Sequence, residues 1–221
     1  MTKTSADLAA TDYSPGEEIA SSVVHGLGIV LSIAGLVVLS AYAAPGGARL
    51  LASVGVYGTT LVLLYTASTL YHSVPVERVK PLLRQLDHAA IFLLIAGTYT
   101  PFTLITLNGP WGWSLFAIVW MLALFGIALV VRGSERRGLL LSLYVGLGWI
   151  GLIAIGPLVQ KLPAGGLWLV FGGGVCYTLG VPFYLWNRLP FNHALWHLFV
   201  LGGSILQFFA VLFYVLPSRA A

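Results

Sequence analysis

The sequence predicts an all-α membrane protein, a seven-transmembrane helix bundle with a cytoplasmic N-terminus and an extracytoplasmic C-terminus. Two features of the chain predict it: more apolar surface than water tolerates, and the regular spacing of its interruptions. Hydrophobic residues make up 58% of the 221 residues and charged ones only 8%, with a mean hydropathy of +0.93. Soluble domains carry roughly a quarter charged residues. A chain of this length folded in water has too little interior to hide so much apolar side chain. The interruptions recur after runs of about 20 apolar residues, the length that crosses the hydrocarbon core as a helix.

Seven runs follow in order, at about 19–43, 50–74, 87–107, 113–131, 139–159, 166–186 and 190–216. Between them lie Pro45-Gly46-Gly47, Pro75 to Pro81, Asn108-Gly109-Pro110, Arg132 to Arg137, Lys161 to Pro163, and Asn187 to Pro190. Each break is turn chemistry or charge, which lipid rejects. No connection is long enough for a second domain. Residues 1–18 are expected to form a short cytoplasmic tail without the pattern of a secretory leader, and residues 19–217 a single transmembrane domain.

Basic residues in short loops favour the cytoplasm. Lys3, Arg78, Lys80, Arg84, Arg132, Arg136, Arg137 and Arg188 collect on one side of this map, and Arg49, Lys161 and Arg219 on the other. The asymmetry puts the N-terminus inside, opposite to a G-protein-coupled receptor. It also accounts for the net charge of +4, so no nucleic-acid partner is expected. The location expected is the inner (plasma) membrane.

Several motifs fail their physical context. Gly146-Leu147-Gly148-Trp149-Ile150-Gly151 spells a dinucleotide-binding pattern, but that pattern needs a strand-to-helix turn and here lies within a span. Close helix packing by small residues is expected instead, as for Gly172-Gly173-Gly174 and Gly202-Gly203. Lys3, Lys80 and Lys161 fall in the tail or in loops, which excludes a retinal Schiff base in the last helix. Cys176, the single cysteine, is expected to pack between helices. Trp111, Trp113 and Trp168 are expected to anchor the membrane interface.

Polar residues gather at one end. His25, His72, His88, His193 and His197 all fall near the cytoplasmic ends of spans, with Asp87 opening the third. His193 and His197 are four apart and share a helix face. His72 ends the second span, and Ser68, four residues earlier, points the same way. Three neutral imidazoles and a water make an open tetrahedral zinc site, and a sulfur-free, nitrogen-rich set suits zinc better than magnesium or calcium. The competing readings are bland. Interfacial histidines bind headgroups, Asp87 favours a helix N-terminus, and Ser68 bonds its own backbone. His88, turned about 100° from Asp87, is expected at the interface or behind the ligands.

Ser68-x-x-x-His72, Asp87 and His193-x-x-x-His197 resemble the hemolysin III family, the bacterial branch of the progestin and adipoQ receptor superfamily, which is also similar to the alkaline ceramidases. Glu18-x-x-Ser21-x-x-x-His25 and Gly97-Thr98-Tyr99-Thr100-Pro101 extend the likeness over nearly the whole chain. The family usually has asparagine where this chain has Ser21. The resemblance implies a zinc ion near the cytoplasmic face held by His72, His193 and His197, with Asp87 and Ser68 contacting or orienting its water. Three functions then compete: a zinc-dependent hydrolase of lipid amide or acyl bonds, a non-enzymatic sensor or regulator of membrane lipid with a structural zinc, and a pore-forming cytolysin. The pore is weakest, because a conduction path needs polar residues along whole helices. A membrane lipid is the expected substrate or ligand. An enzyme needs an open metal position and a lipid-sized cavity reaching it.

Overall fold

Helix starts in this chain follow local chemistry. The structure, a computed structural model, describes residues 13–133 and 136–217, so the tail before Tyr13, with Lys3, and Arg219 lie outside the described residues. α1 (Pro15–Ala43) starts at a capping box: the Glu17 amide donates to Ser14 Oγ at 3.4 Å, and the Ser14 amide donates to Glu17 Oε2 at 2.8 Å. Two orphan donors are thereby satisfied and Pro15 loses nothing at the first turn. α2 spans Ala48–Ser73 and α3 Lys80–Pro101. Pro101 has no amide to give, and the helix runs on as a π-helical turn over Phe102–Leu107. Asn108 ends it and caps the next helix, α4 (Gly109–Val131), by accepting from the Gly109 amide at 2.8 Å.

The fifth span is broken. α5 (Arg137–Trp149) gives way to a 3₁₀ turn, Ile150–Ala154, and α6 (Ile155–Lys161) completes the crossing. Pro157 explains the break, because its ring clashes with the carbonyl four residues earlier. α7 (Ala164–Leu185) and α8 (Asn192–Ala210) follow, the latter extended by a π-helical turn, Val211–Val215. Seven helical stretches are thus long and apolar enough to cross a membrane, and the described residues contain no strand.

α2 sits between α1 and α3, α1 closes on α8, α8 on α7, and α3 on α4. The α5–α6 span leans only sparsely on its neighbours. Tyr57, Tyr65 and Phe92 are fully buried. Leu27, Val30 and Val37 on α1, Met121 and Phe125 on α4, and all three tryptophans named above stand exposed. Such a surface belongs in lipid, where burial of Leu against Leu gains little and close approach at small residues holds helices together. Gly97 on α3 shows it: a Cβ there would lie 2.0 Å from Thr60 Oγ1 on α2. Thr60, Thr100 and Ser53 satisfy their buried hydroxyls on carbonyls of their own helices.

Two details differ from the sequence map. The third helix begins at Lys80, not Asp87, because the Lys80 ammonium is neutralised within the bundle while Arg84 reaches out to the surface. Asp87 therefore sits two turns inside the helix. Gly146 and Gly148 do not pack closely, since a Cβ on either would meet nothing within 4 Å, whereas one on Gly151 would lie 3.0 Å from the Tyr99 ring. Gly173 and Gly203 do pack tightly, against Gln207 and Tyr177. Cys176 lies between α7 and α8, its thiol 3.3 Å from the Phe199 carbonyl.

Candidate metal centre

Helix ends bring the polar residues together. α2 stops at Ser73, so His72 occupies its last turn. α8 starts at Asn192, after Phe191 in a left-handed conformation at φ 56°, so His193 and His197 lie on one face of its first two turns. α1 packs on both helices. His72, His193 and His197 are all buried, at 4, 6 and 2% exposure, and each offers a ligand atom within 4.8 Å of the others. Their ring centroids lie 4.5–5.0 Å apart.

The other ring nitrogens are held from outside. Glu18 Oε2 lies 2.5 Å from His72 Nδ1, and Glu18 Oε1 accepts from the Lys80 ammonium at 3.1 Å. Lys80 also donates to the Tyr71 carbonyl at 2.5 Å. His25 Nε2 lies 2.6 Å from His197 Nδ1, and the Tyr13 hydroxyl 3.0 Å from His193 Nδ1.

This arrangement fits a metal ion. An ionised carboxylate only accepts, so Glu18 fixes the His72 proton on Nδ1 and leaves Nε2 a bare lone pair. That Nε2 faces His197 Nε2 at 3.2 Å. The contact is either a hydrogen bond from a protonated His197 Nε2 or two lone pairs turned toward a shared cation. His193 Nε2 favours the cation: it is buried and has no hydrogen-bond partner among the described residues, a state costing about 1–3 kcal/mol unless a ligand uses it. Three imidazoles and no thiol suit a transition-metal ion better than magnesium or calcium.

Ser68 is fully buried one turn before His72, with its hydroxyl on the side of the Asp87 carboxylate. Asp87, 6% exposed on α3, lies within electrostatic reach of Ser68, His72 and His88. His88 stands outside the three-histidine cluster. Its carbonyl accepts from Tyr144 at 2.9 Å.

A cavity of about 890 Å³ opens from this cluster into the bundle. His193, His197 and Asp87 line one end, and Leu107, Leu158 and Leu167 the other. Its wall is mainly apolar side chains of α3, α5, α7 and α8, with Gly148 and Gly151 on the loosely packed fifth span. The volume is within the range of about 300–1,000 Å³ usual for ligand sites.

Tyr13, Glu18, His25 and Lys80 were not assigned to the site from the sequence. Glu18, Ser21 and His25 follow one another at i, i+3 and i+7, which marks a shared helix face. Ser21 is buried, yet Glu18 and His25 reach the cluster directly without it. Nothing local marks Tyr13 or Lys80.

Fold and site thus define a multi-pass membrane protein with a buried cluster of three histidines able to bind a metal. The chain belongs to the Haemolysin-III related family, whose sequence profile matches residues 13–208. Hemolysin-3 of Bacillus cereus is 50% identical over 206 residues, covering 92% of this chain and 94% of that protein. The Hemolysin-3 homolog of Bacillus subtilis (strain 168) is 47% identical over 200 residues, covering 90% and 94%. The human Monocyte to macrophage differentiation factor is 27% identical over 170 residues, covering 74% and 70%.

Proposed function

We propose that this protein is a zinc-dependent intramembrane hydrolase of a lipid amide or related acyl bond, set in the inner (plasma) membrane with its N-terminus and its metal centre at the cytoplasmic side. The observation that carries this reading is the cavity of about 890 Å³ that reaches the histidine cluster, since a purely structural zinc needs no lipid-sized approach. The basic residues of the even-numbered loops support the orientation.

His72, His193 and His197 would hold the zinc. A zinc in such a site supplies Lewis acidity and lowers the pKa of water to about 7. Asp87 is the carboxylate at the cavity end beside the cluster. Its oxygen takes a proton from the attacking water and returns it to the departing amine, help worth about 10²–10⁴-fold. The buried Ser68 hydroxyl, beside Asp87, orients that water or donates to the carbonyl oxygen as charge develops on it. The apolar wall from Ile91 to Phe171 holds the acyl chain and keeps bulk water from the reacting bond.

The test is incubation of the purified protein with a panel of lipid amides and esters, zinc-loaded and after chelation, read by mass spectrometry. Zinc-dependent release of a fatty acid is the expected result. A loaded protein that turns over no lipid would sink the hydrolase and leave a lipid sensor with a structural zinc.

A further inference from the structure

We propose that the start of the first helix forms the outer shell of the metal centre, with Tyr13, Glu18 and His25 as positioning residues for three different histidines. The inference rests on the reading of His72, His193 and His197 as metal ligands, and extends it to residues that touch no metal themselves.

Each cluster histidine has its Nδ1 in contact with one side chain, and all three of those side chains come from residues 13–25. Glu18 meets His72 at 2.5 Å, His25 meets His197 at 2.6 Å and Tyr13 meets His193 at 3.0 Å. An imidazole can rotate about two bonds and carries its proton on either nitrogen, so an unheld ring is a poor ligand. A partner that accepts at Nδ1 removes both freedoms: it fixes the ring plane and keeps the proton on the outer nitrogen, leaving Nε2 for the ion, and the Glu18 carboxylate, His25 Nε2 and the Tyr13 oxygen can each accept there. Glu18 adds negative charge beside His72, which favours a cation at the far side of that ring. Lys80 holds the second oxygen of Glu18 at 3.1 Å and so sets that carboxylate.

The same short segment is tied down independently of the cluster. The capping box fixes Ser14 against Glu17, and Glu17 Oε1 accepts from the Phe191 amide at 2.8 Å, two residues before His193. The Tyr13 ring lies against the His193 ring, tilted at 32° with centroids 4.6 Å apart. Metal binding and docking of the first helix are therefore one linked equilibrium, because the ligand geometry is complete only with residues 13–25 in place.

The experiment uses the full chain in detergent or nanodiscs, with zinc affinity measured by competition against a chromophoric chelator. Tyr13→Phe, Glu18→Gln and His25→Ala are each expected to weaken zinc binding about 10–100-fold while still taking up one zinc per chain at saturation. Cobalt-substituted Tyr13→Phe is expected to show altered d–d absorption, since His193 loses its orienting contact. Tyr13 is only half-buried, so its phenylalanine variant guards against misfolding at His25. Ser22→Ala is the control: it removes the Ser73–Ser22 bond between α1 and α2 at 3.1 Å and is expected to leave affinity unchanged. Wild-type affinity in all three variants would overturn the inference alone. Equal weakening by Ser22→Ala would overturn it too, by tracing the effect to helix packing. Absence of zinc binding by the wild type would overturn the metal reading beneath it.

Discussion

Replacing Gly148 with leucine should block the lipid path without disturbing the metal. Gly148 is helical, near the end of α5, and a Cβ added there meets no atom within 4 Å. Gly148 lines the cavity, and its carbonyl, which accepts from the Tyr99 hydroxyl at 2.7 Å, is unaffected by the change. Fold stability should hold or rise, since leucine gains up to about 1 kcal/mol over glycine in a helix. The four added carbons occupy space that about four methylenes of an acyl chain would otherwise fill. At roughly 0.8 kcal/mol per buried methylene the loss is about 3 kcal/mol. That corresponds to roughly 200-fold in kcat/KM for long-chain substrates. Short-chain substrates that do not reach Gly148 should be spared. The assay compares kcat/KM across a chain-length series, with zinc content measured in parallel. Unchanged kcat/KM on the longest chain, in a folded and zinc-loaded variant, would refute the assignment of this cavity to the substrate.

Purified protein should contain about one zinc per chain, and His72→Ala, His193→Ala or His197→Ala should remove most of it whereas His88→Ala should not. Full metal in His72→Ala with loss in His25→Ala would show that the ligand set is wrong. Asp87→Asn should keep zinc and fold but lower lipid-amide hydrolysis by about 10²–10⁴-fold; near wild-type turnover would remove Asp87 from the chemistry. A reporter fused after Ala221 should read extracytoplasmic, and one inserted between Arg132 and Arg137 cytoplasmic. Both on the same side would overturn the orientation.

The seven crossings were legible because lipid imposes a requirement that any stretch of sequence must meet alone: about 20 apolar residues with every backbone group satisfied inside the helix. What escaped depends on partners far along the chain. Lys80 reads locally as a loop charge, yet Glu18, 62 residues away, lets it begin a helix inside the bundle. Gly146 to Gly151 reads as a packing stripe, because small residues allow close approach but do not compel it. In the fold only Gly151 makes a close approach, to Tyr99, while a Cβ on Gly146 or Gly148 would meet open space. Pro157 and the neighbouring glycines were visible, but a run of apolar residues does not disclose that its helix is interrupted by a 3₁₀ turn.

The same division between local and distant information runs through the site. His193 and His197 share a face by spacing alone, and His72 is placed by the end of its span, so the cluster could be assembled from three short stretches. The residues behind it could not, since their partners lie 54, 172 and 180 positions away. Glu18 and His25, seven apart on one helix, did announce a shared face, but a face does not say what it meets. Only the packing of α1 against both α2 and α8 turns that face toward the histidines. A departure such as Ser21 therefore has less effect than its position in the motif implies. Glu18 reaches His72 and His25 reaches His197 directly, each across a separate helix interface, and neither contact passes through residue 21.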